Sequence, residues 1–364
     1  MPFKCDVAAG ADAHQGADIS AVRESVAQVL SSLCDRAAIH DHVDGRIDLG
    51  ARLWKQSAQL GWTATGIPEV HGGLGLGWRG AAAVLIELGQ YLAPGPFLST
   101  TAAADVILQA GDEPMRQAWL PRIAGEGLAV ATPSTTFGER RPRQRLLAFS
   151  GAAYALAWNK DGALALFESP DTARSIEIWD QTRRLIEIDT TDQTPVATFE
   201  DPEKAALVLE QAMALGIACD SVGGAGAIAD QTLAYMKART QFGRPIASFQ
   251  ALKHRMADIV ALHETHGHLV CQAVESAEAR TDAHLWALLA KSEASDAYVA
   301  IAADCLQLHG GIGFTWEYDC HLFLKRARMN EALLGANGAV RDLAATHLTS
   351  SIKEGLSTLE LRAA

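Results

Sequence analysis

Between Arg239 and Gly313 two helical patterns are each cut short by residues that no helix tolerates. Gly243 and Pro245 break the first, inside Arg239-Thr-Gln-Phe-Gly-Arg-Pro-Ile246, and force a turn. After it Phe249, Leu252, Met256, Ile259 and Val260 fall at helical spacing, and Ser248 stands where an N-cap belongs. A further helix, marked by Leu285, Leu288, Leu289, Tyr298, Ile301 and Cys305, stops at the Gly310-Gly311 pair. Each turn carries an unusual polar set: Arg239 with Gln241 at one, Gln307 with a Gly-x-Gly at the other. An arginine offers a fixed fork to phosphate oxygens, and glycines let backbone approach a pyrophosphate closely. A Gly-x-Gly alone is more often a helix C-cap than a phosphate cradle, so the weight rests on both segments in order.

The rest of the chain excludes several classes. At 364 residues it is too long for one ordinary core and predicts two or three domains. A net charge of −12 argues against a nucleic-acid surface. The local exception, Arg140, Arg141, Arg143 and Arg145, reads as a solvated loop. Cysteines 5, 34, 219, 271, 305 and 320 form no Cys-x-x-Cys pair and read as reduced core residues of a cytoplasmic protein. No secretory signal stands at the N-terminus, and no run of 18 apolar residues suggests a membrane span.

Taken as ordered motifs, Arg-Thr-Gln-Phe-Gly-Arg-Pro-Ile, then Phe-Gln-Ala-x-Lys-His-Arg, then Gln-x-His-Gly-Gly-Ile-Gly-Phe-Thr resemble the C-terminal helical domain of the acyl-CoA dehydrogenases. The resemblance implies that these turns reach across a subunit boundary and hold the diphosphate and adenosine end of a neighbour's FAD. It carries Arg239, Gln241 and Phe242 to the first cofactor segment, and Gln307, Gly310, Gly311 and Gly313 to the second. Upstream, Gly61-Trp62 with Ile67 to Gly75, and Leu92 to Leu98, resemble architectural turns of the family's N-terminal helical domain.

The expected organisation is mainly α. An N-terminal helical domain spans 1–128, a reduced, β-barrel-like middle domain 129–202, and a C-terminal four-helix bundle 203–364. Residues 1–18 read as frayed, and helices are expected over Ile19–Leu33, Leu49–Leu60, Ala81–Tyr91 and Thr100–Ala110. Short runs at Leu146–Phe149, Leu164–Phe167, Ile176–Trp179 and Leu185–Ile188 are strand-like. A long helix follows over Val208–Met236. Its small-residue patch, Gly216, Gly223, Gly224 and Gly226, predicts a close helix crossing and possible contact between bundles. Thr315 and Glu317 are expected to start a last helix that ends at Gly335.

Against the family pattern, the chemistry is incomplete. A carboxylate should take the α-proton of the thioester while the flavin accepts the β-hydride. The two positions at which the family places that glutamate fall here on Leu334 and Met213, and neither accepts a proton. Glu331 and Glu210 lie one turn earlier and are fallback bases, although exposed helix-face acids are the blander reading. The flavin-ring motif is replaced by Thr132-Pro-Ser-Thr-Thr-Phe-Gly138, and Trp158-Asn159 is the nearest text to the family's ring-packing segment. Only Asp180-Gln-Thr-Arg-Arg-Leu185 still looks familiar in the middle domain. His40 with His42, and His263, His266 and His268, lack metal-site spacing and read as solvated, so no metal is expected. No nucleophile elbow of the Gly-x-Ser-x-Gly type occurs.

The resulting expectation is a subunit that completes the FAD site of a sister acyl-CoA dehydrogenase chain, in a heterodimer or an α2β2 heterotetramer. Its implied partners are acyl-CoA and an electron-transfer flavoprotein. Two alternatives stand beside it. One is a self-sufficient dehydrogenase, or a related flavin oxidase or monooxygenase, with a displaced base; the other is a structural paralogue without flavin.

Overall fold

The computed structural model describes residues 7, 8, 11, 13–135, 140–148, 152–169, 173–316 and 318–353. Cys5, Phe149, Glu317, residues 136–138 of the altered ring motif and most of the first twelve residues lie outside that set.

Among the described residues six α-helices come first: α1 (Ala13–Leu33), α2 (Arg36–Val43), α3 (Leu49–Gln59), α4 (Gly77–Gln90), α5 (Phe97–Ala110) and α6 (Glu113–Gly125). Aspartate caps start several of them. Asp35, Asp48 and Asp112 accept from the amides of Ala38, Ala51 and Met115, satisfying donors that a first turn leaves open. The short α2, which carries His40 and His42, has no counterpart among the expected helices.

Among the described residues seven strands follow: β1 (Val130–Pro133), β2 (Arg143–Ala148), β3 (Tyr154–Trp158), β4 (Leu164–Glu168), β5 (Arg174–Ile176), β6 (Arg184–Asp189) and β7 (Ala197–Thr198). They form one sheet in the order β5-β6-β2-β1-β3-β4-β7. Pairing is antiparallel except between β1 and β3. Among the described residues β5 and β7 stand at the two ends of that order. Arg143 and Arg145 sit on β2 and not in a loop, and Arg140 and Arg143 pair with Glu203 and Glu187 at 2.7 and 2.8 Å. The sheet meets α5 where Thr100 Oγ1 accepts from the Val130 amide at 3.1 Å.

The rest of the described chain is mainly helical: α7 (Pro202–Ala238), α8 (Gln250–Ala279), α9 (Ala283–His309), α10 (Cys320–Ala332) and α11 (Asn337–Lys353). A small hairpin of β8 (Thr240–Gln241) and β9 (Arg244–Pro245) joins α7 to α8. Asp201 caps α7 through the Lys204 amide, and Pro202 occupies its first turn. By length and composition α7 is apolar enough to cross a membrane, yet 94% of its most apolar window is buried inside the fold. It is the central helix and packs on α4, α5, α8, α9 and α10.

That burial explains the glycines. A Cβ at Gly223 would strike the Ile86 carbonyl, one at Gly224 the Tyr298 ring, and one at Gly216 the Leu98 side chain. The patch therefore serves crossings within the chain, with α4, α9 and α5, and not contact between bundles. The expected last helix is shorter and not the last: α10 begins at Cys320 and stops at Ala332, and a turn at Leu334 and Gly335 leads into a further helix, α11.

Two arginines and two aspartates hold sheet and bundle together. Arg326 on α10 donates to Asp180 at 2.8 Å, to Asp220 on α7 at 2.8 Å, and to the Leu92 carbonyl at 3.3 Å. Arg183 completes the set with a 3.0 Å bridge to Asp220, and Asn330 donates to the same carboxylate at 2.7 Å. Burial opposes ionisation of Asp220, but the guanidiniums of Arg183 and Arg326 outweigh it and hold the carboxyl below its ordinary range. Two positive and two negative groups balance, which is the condition for keeping them charged away from water. This is the structural reason for Asp180-Gln-Thr-Arg183.

Candidate functional site

The chain leaves α7 at Arg239, whose amide still donates to the Tyr235 carbonyl at 2.8 Å. Phe242 and Gly243 then take φ of 52° and 76°, the paired positive angles of a tight primed turn, and β8 folds back on β9. The turn thrusts Phe242 outward until 92% of it is exposed. Arg244 packs its guanidinium on Phe249, 4.1 Å from the ring centroid. Ser248 does not cap α8: position 249 is the N-cap, no side chain caps it, and the Ser248 hydroxyl is buried without a partner.

The second segment ends α9. Gln307 is exposed, its carbonyl accepts the Gly310 amide, and Gly310 adopts φ 66° with ψ −148°, a conformation that only glycine takes readily. A side-chain carbon added at Gly310 or Gly311 would meet nothing within 4 Å. Gly313, by contrast, is buried against Leu306 and His309.

Aromatic contacts join the two segments. Tyr235, one turn before Arg239, stacks on His309 with centroids 4.4 Å apart and planes at 19°. Tyr318 meets both rings edge-on at 5.7 and 5.4 Å. The fold thus sets Arg239, Gln241 and Phe242 at the same end of the bundle as Gln307, Gly310 and Gly311. Phe314 and Trp316 are exposed beyond them. This end offers an exposed guanidinium, carboxamides and an open glycine backbone, a donor set that suits a diphosphate.

The two base positions behave differently. Met213 and Leu334 are both fully buried and both contact the strand end that carries the altered ring motif. Thr132 Oγ1 lies 3.3 Å from Met213 Sδ, and the Leu334 amide donates to the Ser134 carbonyl at 2.8 Å. Trp158 is also core: it is buried, Gln144 binds its backbone amide, and Arg140 covers its ring at 5.0 Å.

Glu210 is not an exposed helix-face acid. It is 5% exposed, and one carboxylate oxygen lies 3.3 Å from His284 Nε2. Glu331 is half-exposed and bridges to Arg328 at 2.9 Å. Among the described residues no hydrogen bond joins the Glu210 or Glu331 side chain to the Thr132–Ser134 strand end.

Among the described residues no group of three or more metal-ligating side chains comes together. His263 is buried against the Val222 carbonyl at 3.2 Å, and not solvated as its spacing suggested. His40 is half-buried and bonds Asp319 at 2.9 Å, whereas His268 faces solvent. None of the described cysteines is in a disulfide, and all but Cys271 are buried.

Residues with no sequence signal complete the picture. Lys291 is fully buried and donates to the Glu331 and Gly335 carbonyls, each at 3.0 Å, and to Asn337 at 2.7 Å. It ties together the turn that holds Leu334. Tyr235 stands four residues before Arg239, and His309 lies within the second segment, between Gln307 and Gly310.

The family model described as acyl-CoA dehydrogenase, N-terminal domain, matches residues 17–126, and the C-terminal domain model matches 210–349. Acyl-CoA dehydrogenase IpdE2 of Mycolicibacterium smegmatis is 34% identical over 316 residues, covering 86% of this chain and 93% of that protein. The Mycobacterium tuberculosis protein of the same name is 32% identical over 86% of this chain and 92% of its own. Among solved structures, the Tcur3481-Tcur3483 steroid ACAD superposes with a TM-score of 0.82 at 24% identity, covering 93% of this chain and 99% of that chain. The ChsE4-ChsE5 complex from Mycobacterium tuberculosis gives 0.80 at 21% identity, over 91% and 97%. At these identities the two structures speak to the fold alone.

Proposed function

The chain belongs to the acyl-CoA dehydrogenase family, and from that premise we propose that it is the non-catalytic subunit of a heteromeric, FAD-dependent enzyme that desaturates an acyl-CoA thioester. One contrast carries the reading. The end of the bundle with Arg239, Gln307 and Gly310 is open, while both base positions hold buried apolar side chains.

FAD, when bound, supplies the hydride acceptor that the chain's own residues cannot. In the proposed complex, Arg239, Gln241 and Gln307 and the backbone at Gly310 and Gly311 hold the diphosphate and adenosine end of a cofactor whose ring lies in the sister chain. Phe242 would pack against that chain. The sister supplies the base, the ring contacts and the thioester site, and the assembly passes electrons to an electron-transfer flavoprotein.

Two features support the asymmetry. Met213 and Leu334 are packed against Thr132 and Ser134, so a base there would need both a carboxylate and a cavity. Glu210 is engaged by His284, which makes a displaced base in this chain the weaker reading.

The test is expression of the chain alone and with candidate sister chains, reading flavin absorbance and acyl-CoA-dependent reduction of an electron acceptor. The expected result is no flavin alone, and one flavin per pair with activity in the complex. A yellow, active homo-oligomer would refute the proposal, and Glu210→Gln and Glu331→Gln would then locate the base.

A further inference from the structure

We propose that Tyr235 and His309 are a positioning pair, whose stacked rings set Arg239 in register with Gln307 and Gly310. The inference rests on the cofactor reading given above and adds to it the device that holds the two half-sites together.

Arg239 and Gln307 lie at the ends of different helices, with all of α8 and α9 between them in the chain. No local geometry fixes one against the other. Helix termini are also where backbone loosens first. A single diphosphate gripped by both needs them held to a fraction of an ångström, because charge-assisted bonds are short and directional.

The contacts at this end are of the required kind. The Tyr235 and His309 rings are nearly parallel at 4.4 Å, and the Tyr235 hydroxyl lies 3.4 Å from the His309 carbonyl. His309 Nδ1 donates to the Cys305 carbonyl at 2.8 Å, which fixes the ring's orientation and leaves the proton on Nδ1. Burial lowers the His309 pKa, so a neutral imidazole faces the tyrosine. On the other side the Tyr235 carbonyl receives the Arg239 amide, and the Arg239 carbonyl receives the Ile246 amide at 2.8 Å. The stack is therefore one bond from the base of the hairpin and one residue from Gly310.

Tyr318 closes the array edge-on, with the Arg36 guanidinium 5.3 Å from its ring centroid. Arg36 and His40 both bond Asp319 next to it. The register of the two segments is thereby referred to α2, in the first helical layer.

A ring pair that served only core stability would lower stability and flavin affinity without regard to Arg239. A positioning pair acts through Arg239. The experiment is an FAD titration of the flavin-depleted assembly in which the chain is purified, for Tyr235→Leu, Tyr235→Phe, His309→Ala, Arg239→Ala and the double Tyr235→Leu/Arg239→Ala. Thermal unfolding of each variant is read alongside.

Tyr235→Leu and His309→Ala are expected to weaken FAD about twofold to tenfold, the span an aromatic pair covers. Tyr235→Phe, which keeps the ring, should bind as the parent does. In the Arg239→Ala background Tyr235→Leu should cost less than about twofold further. Full additivity in the double variant, or parental affinity in Tyr235→Leu while Arg239→Ala binds weakly, would overturn the inference. Parental affinity in Arg239→Ala itself would instead strike the cofactor reading.

Discussion

The Leu334 amide donates to the Ser134 carbonyl across 2.8 Å, locking the turn after α10 onto the end of β1. Leu334 makes that bond with φ at 65°, and its side chain is fully buried. Leu334→Glu would therefore set an unpaired carboxylate in packed apolar surroundings. The expected loss is at least about 3 kcal/mol in urea unfolding, with no dehydrogenase activity gained by the chain alone. A stable Leu334→Glu variant would mean that a cavity waits at this position.

Gly310 and Gly311 should separate backbone strain from ligand contact. Gly310→Ala forces a side chain into φ 66°, ψ −148° and is expected to cost about 1–3 kcal/mol of stability. Gly311 has no positive φ, and a Cβ added there would meet nothing within 4 Å. Gly311→Ala should leave the melting temperature unchanged and lower the flavin content of the assembly. Full flavin content in that variant would place Gly311 away from the cofactor.

Arg326→Leu removes one member of a balanced, buried set: Asp220 keeps its bridge to Arg183, while Asp180 loses the guanidinium it pairs with. Breaking such a pair from one side costs about 3–5 kcal/mol. The expected denaturation midpoint falls accordingly, and Asp180→Asn in the same chain recovers part of it. No recovery in the double variant would show that packing of the arginine stem, and not charge balance, sets the loss.

Lys291 gives a pH signature. Burial pushes its pKa down to about 8 from an ordinary 10.5. Between those values the unfolded chain holds the proton and the folded chain does not, so stability rises with pH across that window. The full difference corresponds to about 3 kcal/mol. Lys291→Met should flatten this rise, which urea midpoints at pH 7.5 and 10 measure for both proteins. Parallel pH curves would leave Lys291 with an ordinary pKa.

The ends of helices were the most legible part of the sequence. Gly243, Pro245 and Gly310 dictate where α7 and α9 stop, because no helix accommodates them. The burial of Glu210 was not legible, since α7 is apolar on all sides and no periodicity tells an inner position from an outer one. The strands β1 and β3 escaped for the same reason: Val130–Pro133 and Tyr154–Trp158 are almost wholly buried, so they lack alternation. Ser248 has the right residue type one position too early to cap α8. The stack of Tyr235 on His309 needs two helix ends to meet, which only the fold decides.

The charges at Asp180, Arg183, Asp220 and Arg326 also bear on how such a chain can drift. Any one of them replaced alone leaves the remaining buried charges unbalanced, so tolerated changes are expected to arrive in compensating pairs drawn from three separate stretches. Constancy at these positions across descendants of this protein would therefore record mutual dependence. None of the four would need to touch a substrate to be kept.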